Sequence, residues 1–349
     1  MRRPVVFIVA AALAVCLLGI VLDARVLVQA WLAACLTWGM LPLGAQAVLL
    51  IHGLTGGAWG DASRHLWQAL ASTTPLFLLV MLVPLVGMGA LMPWMAPLET
   101  LPEVVQHKRL YLNAPFFVAR NLIYALIWGG LAWWLCRPPQ RQGKIAAPGA
   151  ILWVLAVTFF GFDWFMSLEP TFYSDVFGLE LMTIAVSSAM ALGLLLEAPA
   201  LRPAIRGDIA NLWLAMLLGW AFMAFSQLII IWSGNLPHEI GWYLKRSTTG
   251  WQALGRLAFA LFLFVPFVML LSSALKRHAR WLRIAAAVCL VGHVLHMQWL
   301  IWPAFSARLD HQAWLGPAAL IAVGGLGYLG VSRVMARPLA PREVRHERH

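Results

Sequence analysis

Along the chain, long apolar runs alternate with short polar breaks, and ten such runs are legible: 4–22, 26–52, 66–92, 114–136, 148–168, 175–198, 208–234, 254–275, 281–304 and 313–333. A helix of about twenty apolar residues crosses a hydrocarbon layer ~30 Å thick. In lipid every backbone polar group must find its partner inside the segment, and the alternating pattern of a barrel strand is missing from these runs. The pattern therefore predicts an all-α integral membrane protein with about ten transmembrane helices. The start, MRRPVVFIVAAALAVCLLGIVLDAR, imitates a signal peptide, but its apolar run exceeds the usual leader core of about 7–15 residues and shows no clear A-x-A site, so an uncleaved first span is expected. No Gly/Ser- or Pro-rich linker or large polar insertion interrupts the series. One polytopic domain is expected over 1–335, followed by a basic tail at 336–349.

Composition agrees and adds an orientation. The chain is 62% hydrophobic with nineteen Trp in 349 residues, and its mean hydropathy is +0.79, far from the balance of a soluble domain. The net charge of +11 does not point to nucleic acid, because the basic residues are scattered through short loops and the tail. With the N-terminus inside, 17 of the 25 Lys and Arg fall on the cytoplasmic side: Arg2, Arg3, Arg64, the RPPQRQGK loop, Arg202, Arg206, KRHARWLR and RPLAPREVRHERH carry most of them. The positive-inside rule then predicts both termini in the cytoplasm. The longer outer loops, 93–113 and 235–253, and their neighbours carry Glu99, Glu103, Glu169, Glu239 and Asp310. Cys16, Cys35, Cys136 and Cys289 lie singly in apolar runs, without metal or haem-attachment spacing, and each reads as a small buried hydrophobe.

Against this background the stretch FDWFMSLEPTFYSDVFGLE, 162–180, stands out for its four acids. Pro170 ends the fifth run, which leaves Glu169 and Asp175 in an aqueous loop. Asp163 and Glu180 instead fall inside the fifth and sixth runs, about 7 Å below the outer boundary at ~1.5 Å per residue. Arg120, Gln227, Arg256 and His296 lie within about two turns of the same edge. Ionisable side chains are costly in a span and usually face a bundle interior or a cavity, so their common depth predicts a polar layer able to move protons. Glu180 shares a helix face with Thr183 and Ser187, and His293 shares one with His296. The alternative is purely mechanical: buried polar groups also fasten helices to one another, and those nearest the surface snorkel. His52, in HGLTGGAWG, lies at the opposite, inner edge, in what reads as a tight turn between two spans.

Some chemistry has no support. His293 and His296 are on one helix, which does not suit the facing axial ligands of a membrane haem. No G-x-G-x-x-G before a strand and no G-K-[ST] loop occurs.

Four segments together resemble a known family: HGLTGGAWG, HKRLYLNAPFFVAR (107–120), FDWFMSLEPTFYSDVFG and FSQLIIIWSGNLPHEIGWYL (225–244). In this order they look like the ActF membrane subunit of alternative complex III, a quinol:cytochrome c oxidoreductase, and the likeness covers about residues 26–305. That family is similar to the NrfD and polysulfide-reductase membrane subunits. Departures at Glu169, Thr171, Phe172, Asp175, Ser233, Gly234 and the 207–211 stretch mark a divergent member. The resemblance implies two four-helix bundles with flanking helices and no intrinsic redox cofactor, with quinol or quinone met at the level of the complex. It implies an ActC-like membrane partner, iron-sulfur and haem c subunits, and a bacterial inner membrane. Asp163 falls in the family's F-D-W-x-M-S-L motif and Gln227 in its F-S-Q motif. The expected role is scaffold, with a proton path or quinone contact through Asp163, Glu180, His296, Arg120, Gln227, Arg256, His293 and His52. A structural anchor for a respiratory oxidase fits the same pattern. A proton-coupled transporter is a third reading, against which no inverted repeat or pair of broken helices is seen.

Overall fold

A computed structural model describes residues 2–137, 143–306 and 314–336. All ten apolar runs are helices: α1 (Arg3–Leu22), α2 (Ala24–Thr55), α3 (Ala58–Val86), α4 (Ala114–Leu135), α5 (Ile145–Leu168), α6 (Phe177–Glu197) and α7 (Pro203–Ser233) come first. A short α8 (Pro237–Arg246) follows. The last three spans are α9 (Gly250–Leu271), α10 (Ala279–Ala304) and α11 (Leu315–Met335). No strand occurs among the described residues. The chain is an all-α, multi-pass membrane protein.

The spans sort into two four-helix bundles. α2, α3, α4 and α5 form the first; α6, α7, α9 and α10 form the second; α2 and α6 meet at the centre. α2 is buried on nearly every side and is mostly apolar all round, with Gln29, Thr37, Gln46 and His52 as its buried polar residues. Gly44 backs onto the carbonyl of Ala185, and a Cβ there would collide with that oxygen. Small residues let these two helices approach closely, the usual way to gain packing where lipid removes the hydrophobic drive between helices. α1 and α11 flank α2 and run antiparallel, with Gly19 against Leu315 and Gly325 against Val9. The Arg3 end of α1 and the Met335 end of α11 therefore lie on the same face. Phe7, Leu126, Phe222, Trp232 and Val268 are exposed around the rim, which suits contact with acyl chains.

The helices divide the molecule into a long-loop face, with 87–113, 169–176 and 234–249, and a short-loop face. On the latter, Gly56 and Gly57 turn the chain at φ 67° and 105°, a left-handed geometry open to glycine at little cost. α3 starts directly after them, eight residues before the apolar run predicted it, because Asp61, Arg64 and His65 depress hydropathy in its first turns. Two further expectations are corrected. The 235–253 segment contains a helix, α8, and Cys136 is exposed at the end of α4 while Cys16, Cys35 and Cys289 are buried. The tail beyond Ala336, residues 138–142 of the basic loop, and Asp310 lie outside the described residues.

Candidate functional site

The expected polar layer exists near the long-loop face, but it is divided between the two bundles. In the first bundle, Asn113 caps α4 by accepting from the Phe116 amide at 3.0 Å, which fixes the helix that presents Arg120. Arg120 donates to Asp163 through Nε and Nη2, both at 2.8 Å, while Nη1 donates to the Tyr111 carbonyl at 2.9 Å. The Tyr124 hydroxyl donates to Asp163 Oδ2 at 2.6 Å. The guanidinium lies 3.8 Å from the Tyr111 ring centre, a cation–π contact. Asp163 and Arg120 are both buried. A proton arriving at this carboxylate would have to displace a guanidinium N–H or the Tyr124 hydroxyl, so the pair is built to stay closed.

The second bundle holds a looser arrangement. Glu180, three residues into α6, is buried, and His296 Nε2 lies 3.8 Å from its carboxylate, beyond hydrogen-bond length. That nitrogen has no partner among the described residues, and neither do Gln227 Oε1, Trp220 Nε1 or Ser187 Oγ. Gln227 donates through Nε2 to the Tyr243 hydroxyl at 3.1 Å. Burial pushes the Tyr243 phenol up to about 12; the Gln227 bond opposes this and the Glu180 charge adds to it. The His296 ring stacks between Phe262 and Trp299, both with ring centres at 5.8 Å, and meets Trp220 edge-on. Phe262 reaches it from a π-helical turn of α9, Ala260–Phe264, packed against Gly292 of α10 so closely that a Cβ on Gly292 would strike the α9 backbone. π-turns recur at functional sites because the extra residue re-aims side chains.

Glu169 overturns its expected place in an aqueous loop. It is buried, and it receives Arg246 Nη2 at 2.7 Å and Lys245 Nζ at 2.9 Å. Arg246 also donates to the carbonyls of Trp242 and Leu300 and stacks on Trp242 at 3.6 Å. Burial lowers the Arg246 pKa and Glu169 opposes that shift. The missed element was α8: in PHEIGWYLKR, Trp242 is buried while Glu239, Lys245 and Arg246 carry the charge, a short amphipathic pattern that the sequence displays. Asp175 is exposed, as expected, and pairs with Tyr173.

Asp163 on α5 and Glu180 on α6 belong to different bundles. Phe165, Phe172, Phe177 and Trp242 pack into a wall in this region, Phe172 stacking on Trp242 at 4.9 Å. His293 sits deeper, where α2, α6 and α10 meet. Its Nδ1 engages Ser188 Oγ and its Nε2 engages the Thr37 carbonyl, each at 2.9 Å, so both ring nitrogens are committed. Arg256 is exposed on the rim of α9 rather than within the layer. His52 closes the short-loop end of α2: Arg64 Nη2 meets its Nδ1 at 3.0 Å and its Nε2 meets the Gly57 carbonyl at 2.9 Å. It belongs to the Gly56–Gly57 turn, far in sequence and in face from Glu180.

A cavity of about 370 Å³ lies beside Asp163, lined by Lys108, Tyr111, Phe162, Met166 and Tyr173. Lys108 ties its loop to the next by donating to the Pro170 carbonyl at 2.9 Å. Burial lowers the Lys108 pKa, and the charge of Glu239 opposes this.

Fold and site together define a multi-pass membrane protein with two polar centres near one face. No model of a known protein family matches the chain, and no curated protein matches it at a significant level.

Proposed function

We propose that the chain is a cofactor-free membrane subunit of a quinol-oxidising respiratory complex of the alternative complex III type, in a bacterial inner membrane, with ActC-like, iron-sulfur and haem c partners. Within it, Glu180 and His296 handle protons and the Arg120–Asp163 pair fastens the first bundle. The observation that carries the proton role is the Glu180–His296 contact: two buried titratable groups 3.8 Å apart, with Nε2 of the histidine unpartnered. A small side-chain adjustment closes that gap to hydrogen-bond length and gives a proton two alternative owners. Asp163 lacks that freedom because its oxygens are already taken. The resemblance of the four motifs supports the choice of complex. The cavity beside Tyr111 and Phe162 supports a quinone contact, being apolar, aromatic and within the ~300–1,000 Å³ of ligand pockets.

Mild-detergent pull-down of the tagged chain, followed by haem staining and mass spectrometry, tests the assignment. Haem c and iron-sulfur subunits are expected to co-purify. In that complex Glu180→Gln is expected to assemble normally and to lower quinol oxidation or its proton yield at least ten-fold, an effect of about 1.4 kcal/mol on the barrier. A chain that brings down no redox subunit overturns the complex. A Glu180→Gln complex with wild-type rate and proton yield overturns the proton role and leaves the anchor reading.

A further inference from the structure

Among the described residues, the cations of α8 and the start of α9 outnumber the acids in contact with them. Glu169 serves both Lys245 and Arg246, and Arg256 has no ion-pair or hydrogen-bond partner among the described residues. Arg246 is buried, yet among the described residues its Nε–H has no acceptor, and the Trp299 indole N–H beside it has none either. These groups line one open cavity of about 400 Å³ between α8, the start of α9 and α10, to which Ser247 and Gln252 contribute and which Phe259 closes below.

The position of the cavity selects its occupant. α8 carries its charged end at the level where the long-loop face begins, and Arg256 lies about 9 Å along α9 from Gly250, at ~1.5 Å per residue. Leu257, Phe259, Phe264 and Val268 are exposed along the same helix and form its lipid-facing side. The opening thus presents the exposed Arg256 guanidinium with Ser247 and Gln252 above, backed by buried Arg246, and apolar surface below, the order in which a phospholipid presents phosphate and acyl chain. Arginine is suited to this because its planar fork matches phosphate oxygens and it is weakly hydrated. We infer that the cavity bounded by Arg246, Arg256, Gln252 and Trp299 is a binding site for the phosphodiester of an anionic phospholipid. The lipid supplies Arg256 with an anionic partner, which it does not have among the described residues, and joins α8 to α9. The inference holds whether or not the chain joins a redox complex.

Native mass spectrometry of the full chain in mild detergent tests this, with added phosphatidylglycerol, phosphatidylcholine or inorganic phosphate as the probes. Phosphatidylglycerol is expected to be retained in preference to phosphatidylcholine and to resist competition by inorganic phosphate. Near a membrane surface one basic residue is worth about 1 kcal/mol, so R256Q is expected to weaken phosphatidylglycerol retention about five-fold. R256K should restore most of it. R109Q removes an exposed charge elsewhere on the same face and should leave retention unchanged. Equal retention of the two lipids, displacement by inorganic phosphate at matched concentration, or equal losses in R256Q and R109Q each overturn the site. Because Arg256 is exposed and has no partner among the described residues, R256Q should melt like the parent protein; unchanged lipid retention in that folded variant is equally fatal.

Discussion

The Arg120–Asp163 pair lends itself to a quantitative test, because the function proposed above has it fasten the first bundle rather than transfer protons. Asp163→Asn keeps the shape of the side chain and removes its charge. The carboxylate receives Arg120 through two N–H groups and also accepts from Tyr124. An amide offers one oxygen and turns an NH₂ toward either the guanidinium or the hydroxyl, so one of the two is left facing a donor. Removing one member of a buried ion pair costs about 3–5 kcal/mol, mostly because the other charge stays buried without compensation. Arg120 retains the Tyr111 carbonyl and ring, which moves the expectation to the lower end, about 3 kcal/mol. Removing both charges in Arg120→Met/Asp163→Leu should recover most of that, since a pair replaced by apolar side chains of similar volume is near neutral. The assay is the fraction of detergent-solubilised protein that stays monodisperse after heating, converted to free energies around a double-mutant cycle. Should Asp163→Asn lie within about 0.5 kcal/mol of the parent, or should the double variant equal the sum of the singles, the pair is no fastener and Asp163 returns as a proton carrier.

Other expectations follow from single contacts. Gly44→Val should cost about 3 kcal/mol or more, because its side chain must push α2 off the Ala185 carbonyl; a heat-stability curve like the parent's would show that α2 and α6 do not pack this tightly. Glu169→Ala should release α8 and raise tryptic cleavage after Lys245 and Arg246, whereas Asp175→Ala, on an exposed acid, should not; equal cleavage in the two would undo the anchoring role. The Tyr243 phenol is raised from 10 to about 12, so its contribution to stability is complete below pH 10 and is lost as the pH climbs toward 12. Tyr243→Phe should flatten that alkaline loss, and an unaltered profile would contradict the burial of the hydroxyl. For orientation, a reporter at the C-terminus should be active only in the cytoplasm and one inserted at 247–249, after α8, only outside; the reverse pattern would invert the charge assignment.

The sequence alone determined what each segment does relative to a bilayer. Ten runs of apolar residues could close their backbone hydrogen bonds only as helices, so number, length and most boundaries could be read directly, and the one large misplacement, the start of α3, arose where Asp61, Arg64 and His65 occupy the first turns of a real helix. Depth was also legible, because residue number along a helix converts to distance, and Asp163, Glu180, Arg120 and His296 do lie near one face. Azimuth and partnership were not. Which way a side chain points around its axis, and which helix stands opposite, depend on packing contacts between segments far apart in sequence. Hence Arg120 and Asp163, 43 residues apart, form a closed pair while Glu180 sits in the other bundle beside His296 with a gap. For the same reason Glu169 looked like a solvated loop acid: only the folding of α8 back over the α5–α6 loop brings Lys245 and Arg246 to it and removes it from water. Local pattern fixes helices because their bonds are local; the chemistry of the polar layer is made between helices, and only tertiary packing places those atoms together.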